Sequence, residues 1–137
     1  MNHRTRMLTP DAYDTACDLA GDALLRRVPA AASVLQVTDD KVWSAFSAAV
    51  YITADSSNII RYVGSTLRAG QVSDRIQEHV LAGRADLWIR LMVVPLHADT
   101  EEVLVRKIEG RIGLVLRPLD NVRLPSLGRD RAKLRVR

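Results

Sequence analysis

The chain has 137 residues, a formal net charge of +4 and one cysteine, Cys17. This length suits a single domain and excludes a catalytic domain joined to a full recognition domain. A lone cysteine excludes an intrachain disulfide and suits a reducing compartment. The apolar runs are far shorter than the ~20 residues that span a bilayer. We therefore expect a soluble, cytoplasmic protein with no membrane partner.

The charge is distributed unevenly along the chain. Residues 7–40 contain six aspartates and two arginines, whereas residues 117–137 contain seven lysines and arginines and two aspartates. A basic tail of this kind favours a polyanionic partner, most simply nucleic acid. The alternatives are a solvated tail, or a tail that folds back on the acidic N-terminal segment. The tail residues expected to contact nucleic acid are Arg129, Arg131, Lys133, Arg135 and Arg137.

Residues 1–46 are predicted to form an N-terminal helical extension. Thr9 and Pro10 are typical of a helix start, with Thr9 as the N-cap and Pro10 at the first helical position. An apolar stripe follows at helical spacing to about Arg27. Pro29 then marks the end of this helix.

Residues 49–66 read AVYITADSSNIIRYVGST and predict a β-hairpin, because alternating β-branched residues flank a polar loop at residues 55–58. With that loop, Ala54 pairs with Ile59, and Tyr51 lies directly opposite Tyr62. One predicted face, the core face, is formed by Val50, Ile52, Ala54, Ile59, Arg61 and Val63. The other is formed by Ala49, Tyr51, Thr53, Ile60, Tyr62 and Gly64. A structural pair of aromatic rings is one sufficient explanation for the two tyrosines.

Three further elements are predicted after the hairpin. A helix capped near Ser73 closes at Gly83, and LWIRLMVVPL at residues 87–96 reads as a buried strand. A last helix, capped at residues 99–100, has an apolar face formed by Leu104, Ile108, Ile112 and Val115. This order predicts an α+β fold with a small antiparallel three-stranded sheet flanked by helices.

Five short motifs follow one another through residues 47–125. They are Ala49-Val50-Tyr51, then Tyr62-Val63-Gly64, then Arg75 with His79 one turn later, then Glu109, and finally Asn121 after Pro118. Taken singly, each has a structural explanation. In this order, each on the expected element, they resemble the GIY-YIG nuclease superfamily. The resemblance covers about the whole catalytic domain of that family.

The resemblance implies a metal-dependent endonuclease that hydrolyses phosphodiester bonds in DNA on a GIY-YIG-like α/β sandwich. It implies Tyr51 as the base for the attacking water and Tyr62 as a hydrogen-bond partner of the phosphate or the nucleophile. It implies Arg75 as the group that stabilises the transition-state charge, assisted by His79, which orients or relays a proton. Glu109 would hold one Mg²⁺ or Mn²⁺ ion, and Asn121 would fix the geometry around these groups.

The sequence departs from the family pattern at two places. Ala49 replaces the glycine of the first motif. The interval from Tyr62 to Arg75 is slightly long, with residues 68–70 as the insertion. Arg68, in that insertion, is a candidate nucleic-acid contact and the alternative to Arg75 for the arginine role.

Residues 47–125 are thus predicted to be the catalytic domain, and residues 126–137 a basic C-terminal tail. The alternatives are a non-cleaving nucleic-acid-binding module on the same fold, and a nuclease for RNA. The motifs do not distinguish double-stranded from single-stranded DNA. With so little chain beyond the catalytic core, sequence recognition would be weak, or would come from a homodimer, a partner protein or the flanking segments.

Overall fold

The computed structural model describes residues 7–29, 31–33, 47–67, 86–120 and the single residues 78, 80 and 83. The chain order of its elements is helix α1 (Pro10–Ala20), a 3₁₀ turn (Gly21–Ala23), strands β1 (Ala32–Ser33), β2 (Ala48–Ala54), β3 (Ile60–Thr66) and β4 (Arg90–Leu96), and helix α2 (Glu102–Leu116). Among these residues, no helix combines the length and the apolar character that crossing a bilayer requires.

The strands form one antiparallel sheet in the order β1-β4-β2-β3. The predicted α+β class, with an antiparallel sheet of three strands, flanking helices and a helix at the N-terminus, is confirmed. The two-residue strand β1 adds a short fourth strand beside β4, where Ala32 pairs with Leu91. The sheet therefore receives a small contribution from the segment before the hairpin.

Helix α1 begins where the sequence predicts and ends earlier. The Thr9 side chain accepts a hydrogen bond from the Ala12 amide at 3.1 Å, and Pro10 occupies the first turn. The predicted continuation to about Arg27 is wrong, because the helix ends at Ala20. Gly21 follows with φ 58°, a backbone conformation that glycine adopts readily and other residues rarely do.

Helix α2 covers one face of the sheet with a stripe that differs from the predicted one. Its buried residues are Val105, Ile108, Ile112 and Leu116. Leu104, which the sequence assigns to the core face, is 38% exposed. The neighbouring position, Val105, is fully buried in its place. Apolar residues occupy both position 104 and position 105, so the sequence alone does not show which of them faces the core. Packing of α2 against β3 and β2 determines that Val105 does.

One core joins α1, α2 and one face of the sheet. Its members are Leu8, Tyr13, Ala16, Cys17, Ala20, Ala48, Val50, Ile52, Ala54, Ile60, Val63, Met92, Val94, Leu96, Val105, Ile108, Ile112 and Leu116. Because α1 contributes to this core, the part of the predicted N-terminal extension that α1 forms packs with the sheet and α2.

The hairpin between β2 and β3 contains a β-bulge that the sequence does not reveal. Thr53 pairs with Tyr62 and Ala54 with Ile60, so Arg61 is the extra residue on β3. The predicted pairing of Ala54 with Ile59 is therefore wrong. The bulge also places Ile60 in the core. The prediction had put Ile60 on the opposite face and Arg61 on the core face.

The hydroxyl of Tyr13 joins α1 to the sheet and supports a prediction about alkaline stability. It donates to the Val93 carbonyl at 2.6 Å and accepts from the Val28 amide at 2.8 Å. Burial raises the pKa of Tyr13 above its ordinary value of 10.0. The unfolded chain therefore releases this proton at lower pH than the folded protein does. The free energy of unfolding should fall as the pH rises above about 10.

We expect Tyr13→Phe to cost about 1–3 kcal/mol at neutral pH, because Val93 and Val28 lose a buried hydrogen-bond partner. The variant should also lose less stability than the wild type between about pH 9 and pH 11, since its proton release is abolished. Urea unfolding at a series of pH values measures both effects. If the free energy of unfolding falls equally with pH in the two proteins, proton release by Tyr13 does not cause the fall.

Candidate functional site

The two tyrosines of the hairpin lie on one face of the sheet, with ring centroids 6.1 Å apart and ring planes at 37°. The predicted direct pairing of Tyr51 with Tyr62 is wrong: Tyr51 pairs with Gly64, and Tyr62 pairs with Thr53. The offset is two residues, so both tyrosines keep the same face and become diagonal neighbours. Tyr51 is fully buried, whereas Tyr62 is partly exposed.

Gly64 provides the space that the Tyr51 ring occupies. A Cβ atom at residue 64 would lie 2.5 Å from both Cζ and Oη of Tyr51, and 2.8 Å from Cε2 of Tyr62. Carbon atoms that are not bonded do not approach this closely, so only a hydrogen atom fits there. Glycine is therefore required at position 64 because any larger side chain would overlap the ring of Tyr51.

Thr53 adds a third hydroxyl to the tyrosine face. It lies opposite Tyr62 and is fully buried. Its Oγ1 atom has no hydrogen-bond partner within the part of the chain that the structure describes. A buried polar atom without a partner is uncommon in proteins and is often found near functional groups.

Trp88 contacts Tyr62 and was not identified from the sequence. Its ring stacks on that of Tyr62, with centroids 4.9 Å apart and planes at 19°. Its indole Nε1 donates to Oδ2 of Asp120 at 2.9 Å, and Asp120 also binds Arg61. Trp88, Asp120 and Arg61 are far apart in the chain and belong to none of the predicted motifs. The one available signal was a tryptophan at the start of a strand predicted to be buried.

Glu109 approaches β3 from the other side of the sheet. Ser65 Oγ donates a short hydrogen bond to Glu109 Oε1 and accepts one from Arg106 Nη1 at 2.8 Å. The same Arg106 atom lies 3.7 Å from Glu109 Oε1. Side chains alternate along a strand, so Ser65 faces α2 while Tyr62 and Gly64 face away from it. Glu109 and the tyrosines therefore meet β3 from opposite faces.

The Glu109 carboxylate is chemically suited to hold Mg²⁺ or Mn²⁺. Its side chain is 29% exposed, and both of the contacts described above use Oε1, so Oε2 is the oxygen that could bind a metal. Among the described residues, no three His, Cys, Asp or Glu side chains form a metal-binding group. Mg²⁺ commonly uses one or two carboxylates and completes its shell with water and substrate phosphate. The single carboxylate of Glu109 is consistent with this type of Mg²⁺ coordination.

The remaining predicted site residues lie outside the described part of the chain. They are Arg68, Arg75, His79, Asn121, Arg129, Arg131, Lys133, Arg135 and Arg137. Glu78 and Val80, on either side of His79, are helical, as the sequence predicts for that segment.

The chain gave no match in comparisons with protein-family models, with curated proteins and with solved structures. The function is therefore inferred from the motifs and from the geometry around β3.

The close approach of Tyr51 to Gly64 predicts that Gly64→Ala is destabilising. The added methyl group would overlap the Tyr51 ring, and that ring is fully buried. Overpacking of this kind costs about 1–3 kcal/mol. The matched control is Gly110→Ala in α2, where an added Cβ meets nothing within 4 Å. That variant should gain up to ~1 kcal/mol from helix propensity. Equal unfolding midpoints for wild type and Gly64→Ala would contradict the packing argument.

Proposed function

We propose that the protein is a metal-dependent endonuclease that cleaves DNA by hydrolysing a phosphodiester bond. The observation that carries the proposal is the packing of the Tyr51 phenol against Gly64, beside Tyr62. This arrangement gives a physical reason for the tyrosine and glycine positions of the two hairpin motifs. The α+β fold and the carboxylate of Glu109 on α2 support the same proposal.

Hydrolysis of a phosphodiester needs a proton acceptor for water and positive charge at the phosphoryl oxygens. Tyr51 is the proposed base, and its phenol, with an ordinary pKa near ~10, needs a nearby cation to act at neutral pH. Arg75 would stabilise the negative charge that develops on the phosphate. Tyr62 would hold the phosphate or the water in line through its hydroxyl.

The other proposed residues complete the site. His79 would orient or relay a proton, and Asn121 would fix the geometry of its neighbours. Glu109 would hold the ion, which when bound supplies Lewis-acid stabilisation of the scissile phosphate. The Ser65 hydroxyl keeps the Glu109 carboxylate in one orientation against β3.

The proposed partner is DNA, held nonspecifically by Arg68 and the basic tail. A homodimer or a partner protein would supply sequence specificity. The proposal places the protein in the cytoplasm, where a free buried thiol such as Cys17 persists.

A second candidate function is a nucleic-acid-binding module that does not cut. Two observations favour it. Tyr51 is fully buried, so water reaches its hydroxyl only if the residues that cover it move. Glu109 Oε1 also already has Ser65 and Arg106 as partners. The following two experiments separate the candidates.

Removing the hydroxyl of Tyr51 should abolish most cleavage and leave the fold intact. Tyr51→Phe keeps the ring that packs on Gly64, and loss of a general base lowers a rate by roughly 10²–10⁴-fold. Thr53→Val is the matched control, because it removes a buried hydroxyl from the same face of the sheet. We expect it to nick plasmid DNA at the wild-type rate. If Tyr51→Phe cuts as fast as wild type, the tyrosine is structural.

Neutralising Glu109 should separate DNA binding from cleavage. We expect Glu109→Gln to lose at least ~10²-fold in nicking rate, because the ion loses its protein ligand. DNA affinity should hold or rise, because a negative charge near the phosphates is gone. Glu102→Gln is the matched control: it lies on the same helix, 3.6 Å from the same Arg106, and is 68% exposed. It should cut normally.

Gel-shift and nicking assays on one preparation, with plasmid, single-stranded DNA and RNA, measure both properties. A folded Glu109→Gln protein that nicks DNA at the wild-type rate would show that Glu109 is not the metal ligand. A wild-type protein that binds DNA but does not cut it, whichever divalent ion is added, would favour the binding module. Preferential cleavage of RNA would assign that substrate instead.

A further inference from the structure

Two neighbours restrict the ring of Tyr62. Trp88 covers one face of the ring at a centroid distance of 4.9 Å, and Gly64 lies against its Cε2 edge. Trp88 itself is only 3% exposed, so the indole side of the stack is shielded from solvent while Tyr62 remains partly exposed. A phenol ring held at a face and an edge has little freedom to move, so the position of its hydroxyl oxygen is restricted.

Trp88 is in turn held by Asp120. Its indole N–H donates to Asp120 Oδ2 at 2.9 Å. Asp120 also accepts two hydrogen bonds from Arg61, one from Nη2 to Oδ1 at 2.9 Å and one from Nε to Oδ2 at 3.3 Å. Planar two-point pairing between arginine and a carboxylate is among the more directional polar contacts in proteins. The indole is therefore fixed by a charged acceptor that is itself fixed in orientation.

The network has little exposure to water and is anchored at both ends. The side chains of Arg61 and Asp120 are 14% and 20% exposed. Arg61 also lies 3.5 Å from Asp55 in the hairpin loop. The Leu119 amide donates to the Ile60 carbonyl at 3.1 Å, so the segment after α2 is joined to β3 through its backbone as well.

We propose that Trp88 is a positioning residue for Tyr62, held in place by Asp120 and Arg61. This inference rests on the proposed function, in which Tyr62 aligns the phosphate or the water. Trp88 belongs to the segment before β4, Asp120 to the segment after α2, and Arg61 to the bulge of β3. Their shared effect is to keep the Tyr62 ring, and with it the hydroxyl oxygen, in one position. They need not touch the substrate.

Stacking on Trp88 changes the NMR chemical shifts of the Tyr62 ring, and a general loss of stability does not produce that change. The chain contains three tyrosines, Tyr13, Tyr51 and Tyr62, so tyrosine-selective isotope labelling yields three sets of ring signals in an NMR spectrum. The Trp88 ring current should displace the Tyr62 signals upfield. Those signals therefore report the stack directly, with no requirement for catalysis.

The experiment compares Trp88→Leu, which removes the stack, with Trp88→Phe, which keeps a smaller aromatic ring and loses the indole N–H. Asp120→Asn removes the charge that holds the indole and Arg61. Tyr13→Phe is the control for lost stability, since it weakens the core through α1. For each folded variant, the tyrosine spectrum and the kcat and KM of DNA cleavage are measured.

We expect Trp88→Leu to move the Tyr62 signals downfield and to lower kcat by roughly tenfold to a hundredfold with little change in KM, as misplacement of a catalytic group does. Trp88→Phe should recover most of both effects. Asp120→Asn should shift the Tyr62 signals in the same direction by less. Tyr13→Phe should leave the signals of Tyr62 and the kcat unchanged. If Trp88→Leu fails to fold, the Tyr62 signals and the kcat of Asp120→Asn decide the question.

Unchanged Tyr62 signals in folded Trp88→Leu and Asp120→Asn would overturn the positioning role. So would altered signals with an unchanged kcat. A wild-type protein that cuts no DNA would instead refute the proposed function, and the positioning of Tyr62 for cleavage with it. The spectra would still show whether Trp88 and Asp120 fix the ring.

Discussion

The β-bulge at Arg61 is the constraint on which the remaining geometry depends. In a regular ladder, the pairing of Thr53 with Tyr62 would continue as Ala54 with Arg61, and Ala54 belongs to the core. A guanidinium would then lie among apolar side chains, where an unpaired charge is costly. The extra residue instead puts Ile60 in the core and leaves Arg61 to pair with Asp120. The bulge thus allows Ile60 to be buried and the charge of Arg61 to be paired.

The register beyond the bulge determines how the tyrosines meet. Because Tyr51 lies opposite Gly64, its phenol extends over a residue that has no side chain. Direct pairing of Tyr51 with Tyr62 would have put two rings side by side and left Gly64 without a packing role. The diagonal arrangement lets Tyr62 stack on Trp88, and the network through Asp120 returns to Arg61 at the bulge. The irregularity of the strand and the position of the tyrosines are therefore parts of one arrangement.

The elements that could be predicted are those set by local sequence. Thr9-Pro10 starts α1, and alternating β-branched residues give β2 and β3. The register could not be predicted, since the bulge depends on a contact between Arg61 and Asp120, which are 59 positions apart. The common face of Tyr51 and Tyr62 was nevertheless correct, because an offset of two residues preserves the side of the strand. Trp88 escaped detection for the same reason as the register: its partners, Tyr62 and Asp120, are distant in sequence.

The position of β3 in the sheet limits where a shared substrate could bind. The strand order β1-β4-β2-β3 puts β3 at one end of the sheet. Tyr62 extends from one face of this strand, and Ser65, with Glu109 bound to it, from the other. On an inner strand, groups on opposite faces would be separated by the sheet. On an edge strand such as β3, side chains from both faces can reach the same point beside the strand. In the proposed function, a phosphate that contacts both Tyr62 and an ion on Glu109 would therefore have to lie beside the edge of the sheet that β3 forms, next to residues 62–65.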